Sequence, residues 1–245
     1  MMAMGSEPDS LRILSLNLWG GHAPWPERKR IVRAALSELD PDIVALQEVL
    51  RPLGPGTSQA DELSEKLSYR VAYSRAKHIE KPFRSEFGNA VLTRYPYREH
   101  RSIALPTDET IETAQPRGLL YLLISTPFGL LPLYVTHFDF GATADPLRKL
   151  QAEFVRDYVE AEQREIPGRV PEHVRILEPV ICADLNAPPG APSLEALAGY
   201  IDAVAQLEVP NAATVCSRNP FVKKDSMFLD QRIDGLPVGE EHLPA

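Results

Sequence analysis

The stretch "PVICADLNAPPGAPS", residues 179–193, decides the fold. Val180, Ile181, Cys182 and Ala183 form an apolar run without alternation, the pattern of a strand covered on both faces. Such a strand needs one layer above it and another below. The run stops on Asp184, with Asn186 two positions on, and Pro188, Pro189 and Gly190 then fix a stiff turn. A carboxylate ending a buried strand is costly to desolvate unless a cation or hydrogen-bond donors meet it. Taken alone, the polar pair also suits an Asx-type loop cap.

Working outward, strand-like runs recur at 12–18, 42–47, 69–74, 88–95, 118–125, 130–137 and 230–234, beside the one at 177–183. Several are nearly all apolar, which implies a sheet packed between another sheet and a helix layer. Helical periodicity covers 26–39 (Ile31, Val32, Ala35, Leu36, Leu39), 59–67 (Ala60, Leu63, Leu67) and 146–162 (Leu147, Leu150, Phe154, Tyr158). The last opens on Asp145-Pro146, an expected N-cap carboxylate followed by a first-turn proline. Residues 163–175 read as a polar surface loop. No Gly/Ser linker divides the chain, so 11–245 is expected to be one layered α/β domain behind a disordered segment, 1–10.

The 245 residues suffice for a substantial single core, and 44% hydrophobic with 24% charged residues is ordinary for a globular protein. The first ten residues carry neither a basic region nor an apolar one, so a secretory signal is not expected. No apolar stretch is long enough to span a bilayer, and stable membrane insertion is not expected. Two cysteines, Cys182 and Cys216, make no disulfide framework; the cytoplasm is the expected compartment and a monomer the expected state. A net charge of −8 argues against strong unspecific attraction to nucleic acid or anionic membranes. One local exception, residues 74–87 with Arg75, Lys77, Lys81 and Arg84, reads more simply as a solvated loop.

The chemistry collects at strand ends. "RILSLNLW" (12–19) delivers Asn17, "DIVALQEV" (42–49) delivers Gln47 and Glu48, and "LLPLYVTHFD" (130–139) delivers His137 and Asp139. "PVICADLN" delivers Asp184 and Asn186. Four such ends along one rim of a sheet layer would form a site on a rigid scaffold. Asparagine, glutamate and aspartate are hard oxygen ligands suited to Mg²⁺ or Mn²⁺. No Cys/His cluster or HExxH helix suggests zinc, and neither a GxSxG elbow nor a Walker-type loop is present. A hard cation beside histidine and asparagine suits a phosphate ester whose developing charge must be neutralised.

The order and wording of these segments resemble the endonuclease/exonuclease/phosphatase superfamily, the DNase I-like metal-dependent phosphohydrolases. The matching pieces are "LNLWG" (16–20), "DIVALQEV", "FGNAVLTRYP" (87–96), "YVTHFDFG" (134–141), "ADLNAPP" (183–189) and "DQRID" (230–234). The resemblance implies a four-layered α/β sandwich, two mixed sheets face to face with helices outside. It implies hydrolysis of a phosphate ester, a phosphodiester or phosphomonoester, by in-line water attack, nuclease-like or phosphodiesterase-like, with Mg²⁺ or in its place Mn²⁺. The substrate would be a phosphorylated small molecule, a lipid headgroup or a nucleic acid. Glu48 would be the principal metal ligand with Asn17 beside it. Asp184 would orient or deprotonate the attacking water, while Asn186 and His137 would contact the phosphate. Arg117 and Asn89 would lie at the substrate's rim, Asn89 more in support of the fold than in chemistry.

The C-terminus departs from the pattern. After the "RID" aspartate, Asp234, the resemblance calls for an aromatic-apolar strand and a closing Ser-Asp-His segment whose histidine pairs with that aspartate. The chain instead reads "GLPVGEEHLPA" (235–245). Either this is a shortened closing motif, with His242 catalytic and Glu241 near the metal, or it is an unrelated tail and the terminal strands are missing. The second is favoured, because Pro237 suits a central strand poorly. A chain so truncated would hydrolyse slowly, or would only bind phosphorylated ligands.

Overall fold

Alternate residues of one strand serve two different cores. In β2 (Ile43–Pro52), Ile43 and Ala45 face one side and Val44 and Leu46 the other, and all four are fully buried. That is the geometry of a strand inside a stack of layers, and it follows from the unbroken apolar run. The computed structural model describes residues 10–22, 24–81, 83–111, 114–206, 213–215, 231–235 and 237–238.

The first sheet orders β1 (Ile13–Asn17), β2, β4 (Ser85–Thr93) and β3 (Arg70–Ile79), with β1 parallel to β2 and the other pairs antiparallel. The second orders β5 (Tyr97–Ala104), β6 (Gly118–Thr126), β7 (Gly129–His137) and β8 (Val180–Asp184), with β7 and β8 parallel. Beyond β8 lie β11 (Pro237–Val238) and then β9 (Ile201–Asp202), and β10 (Asp234–Gly235) also pairs with β8. Both sheets are mixed, as expected.

Three apolar clusters separate four layers. Ile43, Ala45 and Val91 meet Leu120, Leu122, Leu133, Val135 and Cys182 between the sheets. Behind the first sheet, Val44, Leu46, Ala90 and Leu92 pack on Leu36 of α1 (Trp25–Leu39) and on Ala60 and Leu63 of α2 (Gln59–Ser64). Behind the second, Tyr121, Tyr134 and Ile181 pack on Ala152, Val155 and Val159 of α3 (Asp145–Arg169). No described helix is long and apolar enough to cross a membrane.

Several expectations need correction. The helix expected to end at 162 runs to Arg169, because Ile166 is buried and Glu162 pairs with both Arg101 and Arg169. Its cap is Ala144 rather than Asp145; the Asp145 carboxylate instead takes Arg148 at 2.7 Å and the Ser193 hydroxyl at 3.2 Å. Residues 74–87 are only in part a solvated loop: 74–79 and 85–87 belong to β3 and β4, while Lys81 and Arg84 lie exposed between the strands. The edge of β8 is not bare either. Pro237, at the second strand pair from β8, takes part in a short antiparallel pairing with Asp202, so proline is tolerated where the strand is only two residues long.

Two residues of β4 hold the sheets in register. A Cβ at Gly88 would lie 1.9 Å from the Ser74 carbonyl oxygen, so only glycine fits there. Asn89 is buried, and its side-chain nitrogen donates to the carbonyls of Gly118 at 2.8 Å and Val135 at 3.3 Å, crossing from one sheet to the other. Its nitrogen is committed to the scaffold rather than to a ligand. Asn89→Ala should therefore cost about 2 kcal/mol. By calorimetry the melting temperature should fall roughly 5 °C; an unchanged value would show that the cross-sheet bonds contribute nothing.

Candidate active site

The parallel pairings bring chemistry to one end of the sandwich. In the first sheet Asn17, at the C-terminal end of β1, sits beside Gln47 within β2; in the second His137 sits beside Asp184, each at the C-terminal end of its strand. The two ends meet across the interface between the sheets. The Asn17 side-chain nitrogen donates to Glu48 Oε1 at 3.1 Å and to Asp184 Oδ2 at 2.7 Å. One amide thus bridges carboxylates from both sheets, and its own oxygen accepts from the Trp19 backbone N–H at 2.7 Å.

Glu48 does not stand at a strand end as expected. β2 continues to Pro52, and its register with β4 slips between Leu46 and Val49. Glu48 sits in that bulge with φ +54°. A bulge adds a residue and re-aims a side chain, here toward the rim. Trp19, Gly20 and Asn186 also adopt positive φ, at 55°, 48° and 48°. Left-handed backbone at three non-glycine residues costs on the order of 1 kcal/mol or more each and gathers at functional sites. Buried Gln59 and partly buried Arg28 hold this loop. Gln59 accepts from the Leu50 N–H at 2.9 Å and donates to the Gly20 carbonyl at 3.0 Å, while Arg28 donates to the Leu18 and Gly20 carbonyls.

His137 is buried between two donors. Burial, then the nearby Arg117 and Lys77, push its pKa well below the ordinary range, so the ring is neutral. Its 3.9 Å approaches to Glu48 Oε1 and Asp184 Oδ2 are therefore not ion pairs. Arg117 Nη1 lies 2.8 Å from Nδ1. An arginine can only donate, so Nδ1 accepts and the ring proton sits on Nε2. Yet 2.8 Å from Nε2 stands the side-chain nitrogen of Asn186, also a donor, which additionally donates to the Phe138 carbonyl at 3.0 Å. Two N–H groups share one spot without an acceptor between them. An incoming anionic oxygen would satisfy both.

The Arg117 guanidinium acts electrostatically on both Glu48 and Asp184, and Lys77 and Arg28 act on Glu48. Burial above all, then Asp234 across the β8/β10 pair, raises the pKa of Asp184, against hydrogen bonds from Asn17 and from the Asn186 backbone. Asp234 is raised too, chiefly by burial, with Thr214 and Arg232 opposing. Among the described residues no group of three or more His, Cys, Asp or Glu side chains is placed to hold a metal ion. Two or three hard carboxylates facing an open end still fit Mg²⁺, which keeps most of its water and takes only one or two protein carboxylates.

The fold thus gathers Asn17, Glu48, Arg117, His137, Asp184 and Asn186, with Asp234 adjacent to Asp184. It sets Asn89 behind them. Asp139 is fully buried and accepts from the backbone N–H groups of Gln115 at 2.8 Å and Gly141 at 3.0 Å, holding loops. Glu241 and His242 lie outside the described residues. Lys77, visible in the sequence only as part of the basic stretch, is a half-buried cation 5.0 Å from the Phe87 ring centre whose ammonium donates to Gln115 at 2.6 Å. Its pKa is lowered by burial and by Arg117, which places it in the same charged neighbourhood. Its place on β3, with the basic stretch, was the available signal.

Solved structures share this fold. A humanized Danio rerio TDP2 carrying 14 mutations superposes with a TM-score of 0.66 at 19% identity, over 96% of this chain and 86% of that one. The human Nocturnin catalytic domain with a bound sulfate anion gives 0.68 at 15% identity, over 94% and 82%. A mannosyl-6-phosphatase of Bacteroides thetaiotaomicron gives 0.62 at 16%, over 94% and 86%. Comparison with curated proteins returned no match. These likenesses carry the fold. The sequence profile of the Endonuclease/Exonuclease/phosphatase family matches residues 14–219, and with most of its length so matched, the chain belongs to that family.

Proposed function

We propose that the protein is a divalent-metal-dependent phosphoesterase, using Mg²⁺ or Mn²⁺. The observation that carries this reading is the convergence of two nitrogen donors, His137 Nε2 and Asn186 Nδ2 at 2.8 Å, beside the carboxylates of Glu48 and Asp184, each 3.9 Å from Nε2. One side calls for an oxyanion and the other for a metal; a phosphate ester on a hard cation supplies both. When bound, the cation would neutralise charge developing on the phosphoryl oxygens.

The chain's own residues divide the remaining work. Glu48 and Asn17 would hold the cation, Asn17 by turning its amide oxygen away from the Trp19 N–H. His137 and Asn186 would donate to phosphoryl oxygens, and Arg117 would keep the His137 proton on Nε2. Asp184, already poised to hold a proton by its burial, would orient the attacking water and accept its proton. Asp234 would support it. Among the structural neighbours are a TDP2 complexed with a single-strand DNA product and the mannosyl-6-phosphatase. Substrate class is accordingly proposed only as a phosphorylated small molecule, lipid headgroup or nucleic acid.

A hydrolysis assay on bis(4-nitrophenyl) phosphate tests the reading. Turnover should require Mg²⁺, vanish with EDTA and return when Mg²⁺ or Mn²⁺ is added in excess. Turnover indifferent to EDTA would overturn it.

A further inference from the structure

A cleft of about 210 Å³ opens directly beside Glu48, walled by the Gly20 turn on one side and by Leu50, Ile79, Phe83 and Phe87 on the other. It is contiguous with the phosphoryl end, because Glu48 lines it and the Phe87 ring centre lies 6.5 Å from that of His137. Phe83, in the connection between β3 and β4, is 48% exposed at its mouth, a large ring left in water. A cavity of about 150 Å³ already admits a benzene ring. Largely apolar walls with a few polar groups, here Glu48, His22, Lys81 and Ser85, are the composition of a small-molecule subsite.

We propose that this cleft seats a planar aromatic ring carried on the phosphorylated ligand, while its phosphoryl group meets His137 and Asn186. The lining favours a ring over an alkyl chain, since Phe83 and Phe87 offer faces and edges for ring-on-ring contact. Gly20 lines the passage at φ +48°, a backbone conformation that side chains rarely adopt, and a Cβ there would stand in contact with Glu48 Oε2 at 3.5 Å. The proposal rests on the phosphoesterase reading and adds the ligand's organic part to it.

Phosphonates, whose P–C bond the enzyme cannot hydrolyse, allow binding to be measured alone. Calorimetry on the wild-type protein with Mg²⁺ should show phenylphosphonate binding on the order of tenfold tighter than methylphosphonate, and tighter than cyclohexylphosphonate. Phe83→Ala, a change at an exposed position, should bring phenyl and methyl to within about threefold while leaving methylphosphonate affinity unchanged. Equal binding of phenyl and methyl would overturn the ring subsite and leave the phosphoesterase reading standing. A phenyl preference untouched by Phe83→Ala, or matched by cyclohexyl, would overturn it likewise. Binding of none of the three would overturn both.

Discussion

Asp184→Asn is expected to lower phosphodiester turnover about 10³-fold at saturating Mg²⁺ and, without metal at neutral pH, to make the protein more stable. The substitution keeps the shape of the side chain and the acceptor that now takes the Asn186 backbone N–H at 3.1 Å. What it removes is charge, along with the Oδ2 acceptor that takes the Asn17 side-chain N–H at 2.7 Å; the charge is the larger effect. Burial and Asp234 hold the Asp184 pKa above its unfolded value. A carboxylate raised in this way contributes stability below the unfolded pKa of about 3.9, and loses it as pH climbs toward the folded value. At neutral pH the ionised group is therefore a cost that asparagine does not carry. The melting temperature of the variant should exceed that of the metal-free wild type, by a margin that widens from about pH 4 upward. Activity lost while stability rises marks a group retained for function. Loss of both together would make Asp184 a structural residue. His242→Ala, measured alongside, should cost less turnover than Asp184→Asn; an equal loss would place His242 in the site.

The second large effect belongs to Glu48. Glu48→Gln should raise the Mg²⁺ concentration for half-maximal activity on the order of 100-fold, roughly the loss of one charged ligand. It should also abolish the thermal stabilisation that Mg²⁺ gives the wild type. A cation at one hundred times its dissociation constant stabilises by about 2.7 kcal/mol, a rise in melting temperature on the order of 5–10 °C for a chain of this size. The Glu48 side chain is only partly buried and its one described side-chain donor partner is Asn17, so the amide should be accommodated without unfolding. A Glu48→Gln protein that keeps the wild-type Mg²⁺ response would remove Glu48 from the metal site.

The long apolar runs made the layers legible. Residues 118–125 and 130–137 can only be strands covered on both faces, and Val44 beside Ala45 serves two cores in the same way. The edge strand β5 escaped because "YREHRSIA" has no apolar face. Its inward-facing Glu99 and Arg101 are matched by Arg169 and Glu162 of α3, and such charge pairing across elements leaves no local period to read. The same pairing carried α3 past its expected end. At the site, Asn17, His137, Asp184 and Asn186 were visible because an apolar run stops on a polar side chain. The Glu48 bulge was not, since one extra residue in a strand changes no composition. Lys77, Gln59 and Arg28 act through contacts with residues 38, 39 and 8 positions away, which a local reading does not see.

Everything proposed for function turns on whether one cation and one oxyanion share the rim between the two sheets. Crystals grown with Mn²⁺ and a phosphonate would locate the metal by its anomalous scattering. The predicted peak lies about 2.1 Å from a Glu48 carboxylate oxygen, with a phosphonate oxygen taking both His137 Nε2–H and Asn186 Nδ2–H. A Mn²⁺ peak away from Glu48 and Asp184, or a phosphonate bound without contact to His137 and Asn186, would contradict it.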